Sequence, residues 1–139
     1  MTRRRLPLVL PALIVLAGLA GPGRAADDNP IVAQIKAKVK DPAQPFAMTV
    51  TFKVKAGKEK EFEAAFVPCL AATHKEPGCV AYELNRDPDD PATYVMYEKF
   101  KSVAALEDHL RLTHTQTLLK TVGPLTDGDP RIKVYTAPQ

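Results

Sequence analysis

The chain has three histidines, His74, His109 and His114, and imidazole is the side chain best suited to exchanging protons near neutral pH. His109 comes three residues after Leu106 and directly before Leu110, which on a helix puts it at the edge of an apolar stripe. An extended run from Thr93 to Phe100 would carry Tyr94, Met96, Glu98 and Phe100 along one face. A histidine delivered over that face would border an apolar pocket with a few polar groups and could act there as a base. The alternative is a partly buried imidazole bonded to a backbone carbonyl, and the residues alone leave both open. His109 and His114 are five residues apart, about 140° around one continuous helix, so they are not expected to chelate one ion from a single face, and no metal is expected. His114 reads as a helix-break or capping residue, and His74 as a cation-capable residue near a helix C-terminus. There is no glycine-rich phosphate loop, CxxC, HExxH or nucleophile elbow. Asp89 and Asp90 fall in a turn and Glu59, Glu61 and Glu63 on a solvated helix face, so paired-carboxylate chemistry has no enclosed site.

The elements that must position these groups follow from hydrophobic periodicity. Met48, Val50, Phe52 and Val54 alternate with Thr49, Thr51, Lys53 and Lys55, the period of a half-buried strand. After Ala56-Gly57, residues Phe62, Phe66, Cys69, Leu70 and Thr73 recur at helical spacing, with Pro68 inside the helix as an expected kink. Glu76-Pro77-Gly78 ends it, and Val80, Tyr82 and Leu84 alternate with Cys79, Ala81 and Glu83 as a second strand. Asp87 to Pro91 is a turn, and Thr93 to Phe100 is a third strand, apolar on both faces. Ser102 caps a second helical region supplied by Val103, Leu106, Leu110, Leu118, Leu119 and Val122, with a break near Thr113-His114-Thr115. Arg131 to Tyr135 is a last strand. The order β-α-β-β-α-β is that of an α+β, ferredoxin-like antiparallel sheet with two helices on one face. The uncovered face is expected to pack on a second copy, making a homodimer. Cys69 and Cys79 could form a disulfide, or remain two thiols acting as small apolar residues.

Glu76-Pro77-Gly78-Cys79, Tyr82-Glu83-Leu84, Tyr97-Glu98-Lys99-Phe100, Ala105 to Leu110 and His114 together resemble the antibiotic biosynthesis monooxygenase domain of the dimeric α/β-barrel superfamily. The resemblance runs from about Met48 to Tyr135. It implies oxygenation of a quinol or polycyclic aromatic phenol by molecular oxygen with no flavin, haem or metal cofactor. The partners it implies are therefore a small aromatic substrate and oxygen. His109 matches the family's helix histidine and would be the base or a hydrogen-bond partner, while Glu98 and Phe100 match its Glu-x-aromatic step. Tyr94, Met96, Glu98, Phe100 and His114 are the expected substrate contacts. Phe100 stands where many members have tryptophan, and this chain has none. With Thr49 and Thr51 on the first strand in place of the asparagine of haem-degrading relatives, haem breakdown is not expected. Other members of the superfamily isomerise or degrade small signalling molecules, and a non-catalytic periplasmic binding or stress protein is the remaining alternative.

The start of the chain reads as an address. Arg3, Arg4 and Arg5 precede an apolar stretch from Leu6 to Ala20, then Gly21-Pro22-Gly23-Arg24-Ala25-Ala26, the charged, greasy and small zones of an export signal. Pro7 and Pro11 interrupt a stretch too short for a stable membrane span. Residues 1–25 are thus expected to be a signal peptide, 26–46 an extension with a short helix capped by Asn29, and 47–139 the domain. Export places the protein in the periplasm or outside the cell. Setting aside the four arginines of the signal leaves 15 Lys and Arg against 16 Asp and Glu, so no nucleic-acid surface is implied. N-terminal sequencing of the exported protein is expected to begin at Ala26; a chain that keeps Arg3 to Arg5 would contradict this reading.

Overall fold

The computed structural model describes residues 29–138; the signal-peptide reading lies outside them. Helix α1 (Pro30–Lys36) begins as its sequence dictates, with the Asn29 side chain accepting from the Ile31 N–H and Pro30 in the first turn. The four strands are β1 (Phe46–Lys53), β2 (Cys79–Arg86), β3 (Thr93–Phe100) and β4 (Arg131–Thr136), in the antiparallel order β2-β3-β1-β4. Helices α2 (Glu59–Thr73), α3 (Val103–Arg111) and α4 (Thr113–Val122) complete the α+β, ferredoxin-like fold.

Strand alternation builds the core. Met48, Val50, Phe52 and Val54 are all buried, as the sequence predicts. On β3, Tyr94, Met96, Glu98 and Phe100 are buried, while Val95, Tyr97 and Lys99 on the opposite face are half-buried. Helix α2 buries Phe62, Phe66, Cys69 and Thr73 along one stripe. Phe62 lies 5.3 Å from Phe52 and 5.0 Å from Tyr94, ring centre to ring centre. Pro68 sits on the exposed side of α2, and the helix continues through it to Thr73.

Three local details shape the surroundings of the core. A bulge between Cys79 and Ala81 takes Val80 off the Tyr82 face and leaves it 51% exposed. The second helical region is two helices, because Leu112 is extended (φ −69°, ψ 145°) and serves as both the end of α3 and the start of α4. The extension packs down: Val32, Ile35 and Val39 are buried, and the Val103 N–H at the start of α3 donates to the Pro42 carbonyl at 2.9 Å.

The turn before β2 lies directly on α3. A Cβ added at Gly78 would come within 2.5 Å of the Ala105 Cβ, so only glycine permits this approach. Gly78→Ala is expected to destabilise the fold by about 1–3 kcal/mol through this overpacking. Thermal melts of Gly78→Ala and of Gly78→Ala with Ala105→Gly check it; the pair should recover part of the loss, and an unchanged melting temperature in the single variant would contradict the constraint.

Candidate active site

His109 points inward and is 2% exposed. The α3 periodicity places it there: Ser102 caps the helix by accepting from the Ala105 N–H, and Val103, Leu106, His109 and Leu110 form the buried face. The imidazole is packed between two aromatic rings, with centres 5.2 Å from Tyr82 and 5.2 Å from Phe100.

Its Nδ1 lies 2.9 Å and 3.1 Å from the two carboxylate oxygens of Glu76. A carboxylate offers only acceptors, so Nδ1 carries the proton and donates, leaving Nε2 as the basic atom. His114 Nε2 also reaches Glu76 Oε1, at 2.7 Å. The Thr115 hydroxyl lies 3.4 Å from His109 Nε2, a long contact. Glu76, His109 and His114 thus present ligand-type atoms that all lie within 4.8 Å of one another. The expectation that the two histidines could not converge assumed one continuous helix. The extended Leu112 turns the chain between them and brings both rings to one carboxylate.

Burial disfavours charge on His109 and Glu98. Burial pulls the His109 imidazole below its ordinary value, and the Glu76 hydrogen bond and charge only partly offset that. Glu98, 7% exposed, stands on β3 between its cross-strand neighbours Met48 and Tyr82. Burial, reinforced by the Glu76 charge, pushes its carboxyl up to about 8. The Tyr82 phenol is driven far above its usual range by burial and then by Glu98. Both cysteines are free thiols, and burial raises each above the ordinary thiol value, so neither is an activated nucleophile.

Of the residues singled out from sequence, the fold gathers His109, His114, Glu98 and Phe100 at one end of β3. Met96 lies in the middle of the strand. Tyr94 is at the far end, its hydroxyl donating to Glu63 and its ring against Phe62, so it does not share a site with His109. His74 instead secures the local backbone, with Nε2 2.8 Å from the Tyr82 carbonyl. The hollow expected beside His109 is filled by Tyr82, Phe100 and Thr115. A cavity of about 850 Å³ lies instead between the 38–47 segment and the end of β4, bordered by Lys99 and Tyr135. Glu76 belongs to the helix-ending turn and to the Glu-Pro-Gly-Cys motif of the family resemblance; that sequence supplies a carboxylate at a turn but not its target.

The sequence profile described as Antibiotic biosynthesis monooxygenase matches residues 45–121, more than half of the chain. A Caulobacter crescentus CB15 protein, assigned by name to the antibiotic biosynthesis monooxygenases, is 30% identical with a TM-score of 0.64, covering 71% of this chain and 94% of that one. One from Nitrosomonas europaea, similarly assigned, superposes with a TM-score of 0.66 at 22% identity, over 71% and 95% of the two chains; at that identity the likeness is one of fold. The uncharacterised protein sll1783 of Synechocystis is 26% identical over 97 residues, 70% of this chain and 66% of the relative, so the chain spans slightly less than two thirds of that protein.

The raised Glu98 carboxyl fixes a sign for stability. A group that holds its proton more tightly when folded stabilises at low pH, and that contribution is lost as pH rises from about 4.5 to about 8. Glu98→Gln, which cannot ionise, is expected to match wild type near pH 5 and to exceed it in stability by a few kcal/mol near pH 9. Urea unfolding across that range checks it, and a stability difference independent of pH would contradict the buried-acid assignment.

Proposed function

Since the chain belongs to the antibiotic biosynthesis monooxygenase family, we propose that it oxygenates a quinol or polycyclic aromatic phenol with molecular oxygen, using His109 as the base. The observation that carries this is the buried imidazole clamped at Nδ1 by Glu76, which leaves a neutral Nε2 among aromatic rings. Nε2 removes the hydroxyl proton of the substrate. The resulting electron-rich anion passes an electron to oxygen, and recombination of the two radicals forms the new C–O bond. Loss of water then leaves a carbonyl, so one oxygen atom enters the product, the other leaves as water, and both hydrogens of that water come from the substrate. The protein's part is to orient the aromatic, remove the proton and keep bulk water out.

Glu98 has its place in the same reading. Carrying its proton at neutral pH, it can donate a hydrogen bond to a substrate oxygen, as a carboxyl kept neutral by an apolar site does. Tyr82 and Phe100 pack against the ring, and the nearby α3–α4 corner carries Leu112, 39% exposed. We also propose that the protein acts outside the cytoplasm and as a dimer joined through the outer sheet face. That face offers half-buried Ala47, Thr49, Thr51, Val95 and Tyr97, and a solution mass of twice the chain's would support it. Among the described residues no helix is long and apolar enough to cross a membrane.

Oxygen uptake with a panel of reduced quinols and polycyclic phenols tests the activity. His109→Gln, folded by its melting curve, is expected to lower kcat by about 10²–10⁴-fold. Wild-type kcat/KM should fall only on the acid side of the ordinary histidine range, because burial lowers the His109 value. Uptake unchanged in the variant would remove His109 from the mechanism, and no uptake with any member of the panel would favour a ligand-binding protein.

A further inference from the structure

We propose that Glu76, His109 and His114 form a binding site for a divalent first-row transition-metal ion. The argument is geometric. Two imidazole nitrogens and a carboxylate are the ligand set of many open zinc and ferrous sites, which keep further positions free for water or another small ligand. Ligand atoms about 2.0–2.1 Å from one ion, at octahedral or tetrahedral angles, are separated by about 2.9–3.4 Å. Here His109 Nδ1 lies 2.9 Å from Glu76 Oε1 and His114 Nε2 lies 2.7 Å from the same oxygen, with every ligand atom within 4.8 Å of the others. An ion would replace the two N–H···O hydrogen bonds: the two nitrogen-to-Oε1 separations already lie close to that range, and the third, between the two nitrogens, is bounded at 4.8 Å and closes by side-chain movement where it exceeds the range.

The site is also built for one side of approach. His109 is buried and its ring is fixed by Tyr82 and Phe100, whereas the Glu76 and His114 side chains are 11% and 23% exposed. The ion enters from the α3–α4 corner. Its ligands come from three separate places in the chain: the turn before β2, α3 and the first turn of α4. Binding therefore ties these three segments together.

Occupancy has a chemical consequence. An ion on Nδ1 displaces the proton from that atom, so a neutral imidazole must carry its proton on Nε2. Nε2 then donates and no longer accepts. The metal-bound form is thus the inactive form of the oxygenase. This consequence rests on His109 being the base, as proposed above, whereas binding of the ion does not.

The test uses the untagged full mature protein with Co²⁺ and Zn²⁺ as probes. Co²⁺ is expected to give a visible d–d absorption band, and Zn²⁺ titration calorimetry one site per chain. His114→Ala and, as a second variant in case that one unfolds, His114→Asn should weaken both by more than about tenfold. Absence of binding, binding unchanged in a folded His114 variant, or a sulfur-to-metal charge-transfer band pointing to a cysteine would each overturn the site. In the oxygen-uptake assay, Zn²⁺ should abolish turnover and a chelator restore it. Turnover raised by the ion would overturn the inactive-form assignment. Failure of the metal-free protein to turn over at all would remove the oxygenase reading and that consequence with it, leaving the calorimetry to decide the site.

Discussion

One carboxylate organises this molecule's functional end: Glu76, in the turn between α2 and β2, accepts hydrogen bonds from imidazoles on two different helices. That arrangement exists only while three segments keep their places. The turn is pressed onto α3 at Ala105 by Gly78 and tied to β3's end by the Lys101 N–H donating to the Gly78 carbonyl. His74 adds a bond across to the Tyr82 carbonyl. Leaving such a largely enclosed polar group without one of its partners characteristically costs about 1–3 kcal/mol. The cluster therefore acts on the fold as a clasp as well as a candidate site.

The same enclosure separates two carboxyl groups by environment. Glu76 is supplied with N–H donors, while Glu98 sits between Met48 and Tyr82 with the Glu76 charge nearby, and is held protonated to about 8. The two carboxyl groups thus differ in surroundings, one bonded to two imidazoles, the other buried and held neutral. His109 feels opposed influences, burial against Glu76, and burial prevails. A neutral acid and a neutral base thus coexist at one end of β3 near pH 7, the condition proton traffic in a dry interior requires.

Much of this was legible in the residues. The strict alternation of β1, the Asn29 and Ser102 caps and the stripe of α3 are local signals with local causes, and the structure shows each where periodicity and capping place it. The inward direction of His109 follows from its spacing to Leu106 and Leu110. What escaped were features decided by tertiary contact. A break near Thr113-His114-Thr115 is legible, but not its geometry: the extended backbone of Leu112, just before it, decides that His114 can meet His109. The bulge at Cys79–Ala81 moves Val80 off the face its alternation suggests. Glu76 is one of many charged residues at turns, and only the close approach of Gly78 to Ala105 turns it into a partner for two imidazoles.

That dependence extends to the N-terminal extension, which lies almost wholly before the family match at residue 45. A helix of nine residues such as α3 is marginal by itself. Here it is braced on several sides: Gly78 below Ala105, α4 beyond Leu112, and α1, whose Lys36 pairs with Glu107 at 2.6 Å. The Pro42 carbonyl takes the Val103 N–H, one of the amide donors that the first turn of a helix cannot satisfy internally. Since α3 carries His109, bracing its first turn limits how far the imidazole can swing about Glu76. Residues outside the matched region thereby help hold the one ring on which both the proposed base and the proposed metal site depend.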